Sequence, residues 1–220
     1  MKAKTWMPKL EGRTFAQVAS DAVKRIGRGV ILDAGGGGYG DPNVPTPPQI
    51  ICGKLISKFK VIRLDIDPAM KPDIVGDILD MPVKANSIDI LTCSHVVEHL
   101  FPHEVPKAFS EFVRVLKPGG MCFIACPDLQ AVAVEVAKGN LEGPLYESWN
   151  AGPMTALDTI YGYSKMVAGN PFMMHKTGFT GTTLTEKMAG MGFEVAVVWC
   201  ADFSLYAFGW KQKEHASKRR

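Results

Sequence analysis

The stretch from Gly29 to Ala34 (GVILDA) is apolar but for one aspartate, and it runs straight into four consecutive glycines, Gly35 to Gly38. An apolar run this short, without polar alternation and stopped by glycine, reads as a strand buried on both faces. The pattern recurs in Lys60 to Asp65 (KVIRLD), Ile88 to Cys93 (IDILTC) and Met121 to Cys126 (MCFIAC), with a shorter candidate at Asp73 to Val75. Helical patterns lie between and before these runs. Phe15, Val18, Ala19, Ala22, Val23 and Ile26 share one face behind a Thr14/Gln17 capping box. Val105, Ala108, Phe109, Phe112, Val113 and Leu116 share another, closed by Lys117-Pro118-Gly119-Gly120. Apolar strands alternating with helices build a mostly parallel α/β sheet covered on both sides. A helix over Thr180 to Ala189 and two strands, Phe193 to Trp199 and Phe203 to Trp210, end the pattern. They predict a hairpin about Ala201-Asp202 and an antiparallel edge. Ligands of such sheets lie beyond the carboxyl ends of the strands, so the residues following Ala34, Leu64, Cys93 and Cys126 are the ones to weigh.

The glycines Gly35, Gly37 and Gly40 formally make GxGxxG, the fingerprint of an NAD(P)-dependent oxidoreductase. That fingerprint needs a helix to start at the glycines and receive a pyrophosphate. Here the loop runs on through Asp41, Pro42, Asn43, Val44, Pro45, Thr46, Pro47 and Pro48, where prolines restrict the backbone and lack donors. The next helix is expected near Pro48. Asp33, ahead of the first glycine, suits a cationic ligand better than a pyrophosphate. Asp65 ends the second strand where a ribose would lie, with Ile66 next to it. Asp77 could accept from an adenine amino group while Ile78 packs on the ring. Taken singly, each aspartate is as readily a turn or cap residue.

Six segments in order, VILDAGGGGYG, VIRLDIDP, IVGDILDMP, IDILTCSHVVEHL, FVRVLKPGG and FIACPD, resemble the motifs of class I S-adenosylmethionine-dependent methyltransferases. The similarity is greatest to the type 11 branch, with its "EHL" and "RVLKPGG". It covers about Val30 to Phe208. It implies a Rossmann-like, seven-stranded, mostly parallel sheet with an antiparallel last strand, helices on both faces and a helical cap insertion. It implies S-adenosylmethionine as cofactor, with Asp33, Gly35 and Gly37 at the methionine part, Asp65 and Ile66 at the ribose, Asp77 and Ile78 at the adenine, and Ser94 lining the methyl-donor pocket. Tyr39 departs from the family, standing where a third glycine is usual, so a non-catalytic cofactor-binding protein is the other alternative.

His95-Val96-Val97-Glu98-His99 is formally HxxEH, the pattern of inverted zinc peptidases, but it follows a central parallel strand, the wrong place for one. At helical spacing His95 and His99 would share a face. Small-RNA ribose 2′-O-methyltransferases and quinone-ring O-methyltransferases resemble this segment in carrying ExxEH at the same strand end and binding a divalent ion. That resemblance implies a metal held by His95, Glu98, His99 and the later His175, with His95 and His175 as catalytic residues. A metal there would lower the pKa of a substrate hydroxyl, and imidazole ligands favour zinc, manganese or iron over magnesium. The alternative is that these histidines only cap and pack. Relatives sharing an ending like HKTGF are associated with glycan or secondary metabolism, which implies an oxygen acceptor.

Asp128 to Thr177 is too long for a plain connection. A helix is expected over Leu129 to Ala137, then a cap whose aromatic and Met residues, among them Tyr146, Trp149, Tyr161, Phe172 and Met174, would wall an acceptor. The organisation expected is one domain over residues 1–210, with the cap at about 128–177 and a basic, disordered tail at 211–220. Five Lys/Arg and one Glu in those last ten residues hold a net of +4 against +3 for the whole chain, leaving the body at −1. A near-neutral body favours a small-molecule substrate over nucleic acid. No apolar stretch suits a membrane span or signal peptide. The five cysteines have no CxxC pair and fit reduced, buried thiols in a cytoplasmic protein. The acceptor and the oligomeric state are not written in any of these features.

Overall fold

The computed structural model describes residues 14–36, 45–148 and 152–213, and for 195–199 the backbone only. Gly37, Tyr39, Gly40, the loop through Val44, Trp149 and most of the basic tail lie outside the described residues. Helix α1 (Phe15–Ile26) opens on the Thr14/Gln17 capping box and stops at Gly27. β1 (Gly29–Ala34), α2 (Pro47–Cys52), β2 (Phe59–Asp65), β3 (Ile74–Val75) and β4 (Ile88–Ser94) follow, then α3 (Val105–Val115) and β5 (Leu116–Pro127).

The segment after β5 is a cap: α4 (Leu129–Ala137), β6 (Pro144–Ser148), β7 (Gly152–Thr155), α5 (Ala156–Tyr161) and α6 (Ser164–Val167). It is not purely helical as expected, because β6 and β7 pair as an antiparallel hairpin. The chain then returns through α7 (Gly181–Gly190), β8 (Phe193–Ala201) and β9 (Ser204–Lys211).

Seven strands form one sheet in the order β3-β2-β1-β4-β5-β9-β8. All neighbours are parallel except at β9, which is antiparallel to both β5 and β8. The reversed strand is therefore not the edge: it fills the slot between β5 and β8. Asp202 and Phe203 at the turn both adopt positive φ, 49° and 59°, the geometry of a tight hairpin. That turn folds β9 back against Met121 to Pro127 of β5.

Each face of the sheet carries its own core. Leu32, Leu64, Leu91 and Ile124 pack with Phe109 and Phe112 of α3 and Leu184 and Met188 of α7. Ile31, Ile90, Met121 and Phe123 pack on the opposite face with Val18, Ala22 and Val23 of α1 and Ile51 of α2. Neighbouring residues alternate between faces because successive strand side chains point opposite ways, and both sets are apolar because both faces are covered.

Lys117 to Gly120, expected as a helix stop, lie inside β5 as a bulge: Leu116 pairs with Ile88 and Met121 with Ile90. Gly119 (φ 80°) makes the turn, and Lys117 Nζ bonds both Asp89 oxygens at 2.8 and 2.9 Å. Cys52, Cys93, Cys122 and Cys126 are buried thiols, whereas Cys200 is exposed. Among the described residues no helix is long and apolar enough to cross a membrane.

Candidate functional site

The carboxyl ends of β2, β1 and β4 lie side by side, with β1 between the other two. Strand order reverses at β1, and this is where an open α/β sheet forms its crevice. At the end of β1 the Gly35 amide donates to the Leu64 carbonyl (2.7 Å). Gly35 has φ 78°, and a Cβ on it would lie 2.2 Å from Val96 Cγ2. A Cβ on Gly36 would lie 2.5 Å from an Asp33 carboxylate oxygen. Both positions therefore need glycine, Gly35 for its backbone conformation as well as for space. Asp33 is buried and accepts a hydrogen bond from the Thr92 hydroxyl at 2.5 Å, across a ladder that sets the two residues opposite each other. The next helix among the described residues, α2, starts at Pro47 behind a Thr46/Gln49 capping box.

Asp65 ends β2, and its Oδ1 accepts from the Asp67 amide (2.9 Å). Ile66 stands out at this strand end, 52% exposed. Asp77 lies just past β3 and accepts from the Leu79 amide (2.8 Å). Ile78, by contrast, is buried in the core with Leu64 and Met81.

After Ser94 the backbone leaves the sheet abruptly. His95 has φ 54°, uncommon for a residue with a side chain, while its amide still bonds Ala125 of β5 (2.8 Å). Val97–His99 then form a single 3₁₀ turn, not the α-helix expected for HxxEH. This changes which histidines converge. Ligand atoms of Glu98, His99 and His175 lie within 4.8 Å of one another, and the rings of His99 and His175 are 5.0 Å apart. His95, expected with them, falls outside that group. It is half exposed and reaches only Glu98, Nδ1 to Oε1, at 3.3 Å.

Glu98 is 1% exposed, and neither of its oxygens accepts a well-formed hydrogen bond. Burial works to raise its pKa, but the surrounding histidines, His95 foremost, hold it below the usual carboxylate range. Burial opposes protonation of His95 too, yet Glu98 keeps its pKa above the ordinary histidine value. At His175 burial prevails and lowers the pKa, despite Glu98. His175 Nδ1 faces the Thr159 carbonyl (2.9 Å) and His99 Nδ1 the Met174 carbonyl (3.1 Å). A carbonyl can only accept, so each Nδ1 carries a proton, and in the neutral ring Nε2 is the nitrogen left to accept or ligate.

Four partners escaped the sequence reading. Thr92 sits in an apolar strand, and only its register opposite Asp33 marks it. Val96 closes on Gly35. The Thr159 and Met174 carbonyls orient the histidines from the cap, and backbone atoms leave no mark on residue type.

A family model described as a methyltransferase domain matches residues 50–124, and no curated protein matches the chain. Among solved structures, a methyltransferase from Methanosarcina mazei aligns with TM-score 0.57 at 14% identity, covering 86% of this chain and 94% of that one. The 1,6-didemethyltoxoflavin-N1-methyltransferase of Burkholderia thailandensis aligns with TM-score 0.53 at 14% identity, covering 89% and 76%. The N-methyltransferase NodS of Bradyrhizobium japonicum gives 0.53 at 13% identity, covering 90% and 94%. At such identities the structural likeness establishes the fold. The match to a methyltransferase domain lies at the centre of that fold, which this chain shares with S-adenosylmethionine-dependent methyltransferases.

Proposed function

We propose that this enzyme methylates a hydroxyl oxygen of a small-molecule acceptor held between the sheet and the cap. The observation that carries this reading is the pair of imidazoles, His99 and His175, each anchored at Nδ1 by a backbone carbonyl and gathered with the buried Glu98 just past β4. A hydroxyl is a poor nucleophile until its proton is drawn away, and such a cluster is what that step requires. An amine acceptor, neutral at its working pH, needs no such help.

S-adenosylmethionine supplies a methyl group already activated on a sulfonium, so the protein's task is to align donor and acceptor. Asp33, Gly35 and Gly37 would receive the methionine part. Gly35 and Gly36 leave open a cradle that side chains would fill. Asp65 would take the ribose hydroxyls, with Ile66 as the exposed apolar wall. Asp77 would take the adenine amino group, with Ile78 supporting it from the core. Ser94 would border the methyl-transfer path. His175, kept neutral by burial and held by Thr159, would accept the hydroxyl proton at Nε2. His95, at the mouth, would pass it towards solvent.

The same donor set fits a divalent cation. Glu98 is an orphaned buried carboxylate, and His99 and His175 carry the backbone-anchored Nδ1–H typical of metal ligands. Zinc, manganese or iron suits two imidazoles and a carboxylate. Such an ion would occupy His175 Nε2 and replace its role as base, supplying instead the Lewis acidity that lowers the pKa of a bound hydroxyl.

Residues 1–210 would then act as one catalytic unit, with residues 128–177 as the acceptor cap. The test is transfer of labelled methyl from S-adenosylmethionine to matched panels of hydroxyl and amine acceptors. Transfer to hydroxyls, reduced at least a hundredfold in His175→Ala, is expected. Transfer confined to amines, or indifferent to His175, would overturn the oxygen reading.

A further inference from the structure

Glu98 and His99 belong to the sheet's own loop, whereas His175 belongs to the irregular segment by which the cap returns to α7. The two parts are joined here by backbone as well. The Glu98 carbonyl accepts from the amides of Lys176 (2.8 Å) and Thr177 (3.1 Å), and the His175 amide donates to Tyr161 of α5 (3.0 Å). The other links between cap and body are small: Tyr146 stacks on Phe203 (ring centroids 6.0 Å apart), His99 Nδ1 meets the Met174 carbonyl (3.1 Å), and the Leu129 amide donates to the Phe179 carbonyl (3.0 Å). Among described residues 129–174, the buried hydrophobic side chains are only Val132, Met154 and Ala156. Tyr161, Met166, Phe172 and Met174 are 44 to 65% exposed. Without a large apolar interface, segments of this kind open at low free energy. The carboxylate at the seam, meanwhile, is buried with no well-formed hydrogen bond.

We infer that the Glu98–His99–His175 cluster is a cation-dependent clasp: one divalent ion bridges body and cap, so cation binding and cap docking are a single linked equilibrium. The inference rests on the cation reading above and adds a consequence to it. An ion bound only in the docked state must leave before the cap can open. Opening is then suppressed by the factor 1 + [L]/Kd, about 100-fold at a free-ion concentration of 100 Kd. By the same linkage, the acceptor chamber is completed only in the cation-loaded enzyme. Apo protein would retain the cofactor crevice, built from β1, β2 and β4, but present an unclasped cap.

The test is amide hydrogen exchange on the full chain, chelated and then loaded with zinc alone or manganese alone, with bound ion measured on the same samples. The expected result is near-stoichiometric ion and exchange slowed at least tenfold at the amides of His175, Lys176 and Thr177. Amides in β1 and β4 should remain unchanged. In His175→Ala the protection should vanish even where Glu98 and His99 retain ion. Ion bound with no added protection at those amides overturns the clasp and leaves the cation site standing. No ion bound removes both. Protection that persists in His175→Ala refutes the bridge.

Discussion

Thr92 on β4 donates its hydroxyl hydrogen to Asp33 on β1 at 2.5 Å, and both side chains are buried. A carboxylate kept from water needs such donors, so Thr92 helps make Asp33 tolerable at the crevice. Thr92→Val keeps the shape and removes the donor. We expect a loss of about 1–3 kcal/mol in stability, the cost of leaving a buried acceptor short of a bond, and weaker binding of S-adenosylhomocysteine. Urea unfolding and calorimetric titration measure the two. Unchanged stability would show that Asp33 does not depend on this bond.

Gly35→Ala meets two obstacles, a φ of 78° and Val96 Cγ2 at 2.2 Å from the new Cβ. Backbone strain alone costs about 1–3 kcal/mol. The double variant Gly35→Ala/Val96→Ala removes the collision but not the strain. It should therefore recover part of the loss in both stability and cofactor affinity. Full recovery would mean that the conformation at Gly35 is not required.

Glu98→Gln separates stability from ion binding. With chelator present, the variant should be about 1 kcal/mol less stable than the parent, because the pairing with His95 that holds Glu98 ionised is lost. With zinc present the gap should widen, since the variant also loses the anionic ligand. Thermal unfolding in the two buffers reads this widening. Parallel shifts in both would count against a cation role.

Glu111 is held below the usual carboxylate range mainly by Arg114, whose Nε and Nη2 reach it at 2.6 and 2.7 Å. The Met81 amide adds a bond at 2.8 Å. A depressed carboxylate stabilises the fold above its unfolded pKa, about 4.3. That contribution is lost as pH falls through the lower folded value. Glu111→Gln should cost about 1 kcal/mol at neutral pH, a modest figure because Arg114 is partly in water. The difference from the parent should shrink below pH 4. A gap that persisted there would mean packing, not charge, is lost.

The four parallel apolar strands and their alternation with helices were legible because burial on both faces demands unbroken apolar runs, and the parallel sheet follows. Thr14/Gln17 announced a helix start through a side-chain cap that acts within one turn. The candidate cofactor positions were legible for a related reason: each directly follows its strand, so local order already sets Asp33, Gly35, Asp65 and Ser94 at one end of the sheet.

What required the tertiary structure involves residues far apart in the chain. Two positive-φ residues, Asp202 and Phe203, make the hairpin that pairs β9 with β8, and β9 takes the slot beside β5. The residues from His95 to His99 read as helical from their spacing, but the positive φ at His95 and the Val97–His99 3₁₀ turn redirect them. His95 is thereby set apart, and Glu98 and His99 meet His175 across the fold. Sequence alone determined the sheet and the end of it where the candidate residues gather. Which histidines share a site was decided by backbone turns and by the carbonyls of Thr159 and Met174, whose hydrogen bonds do not depend on residue identity and so leave no trace in it.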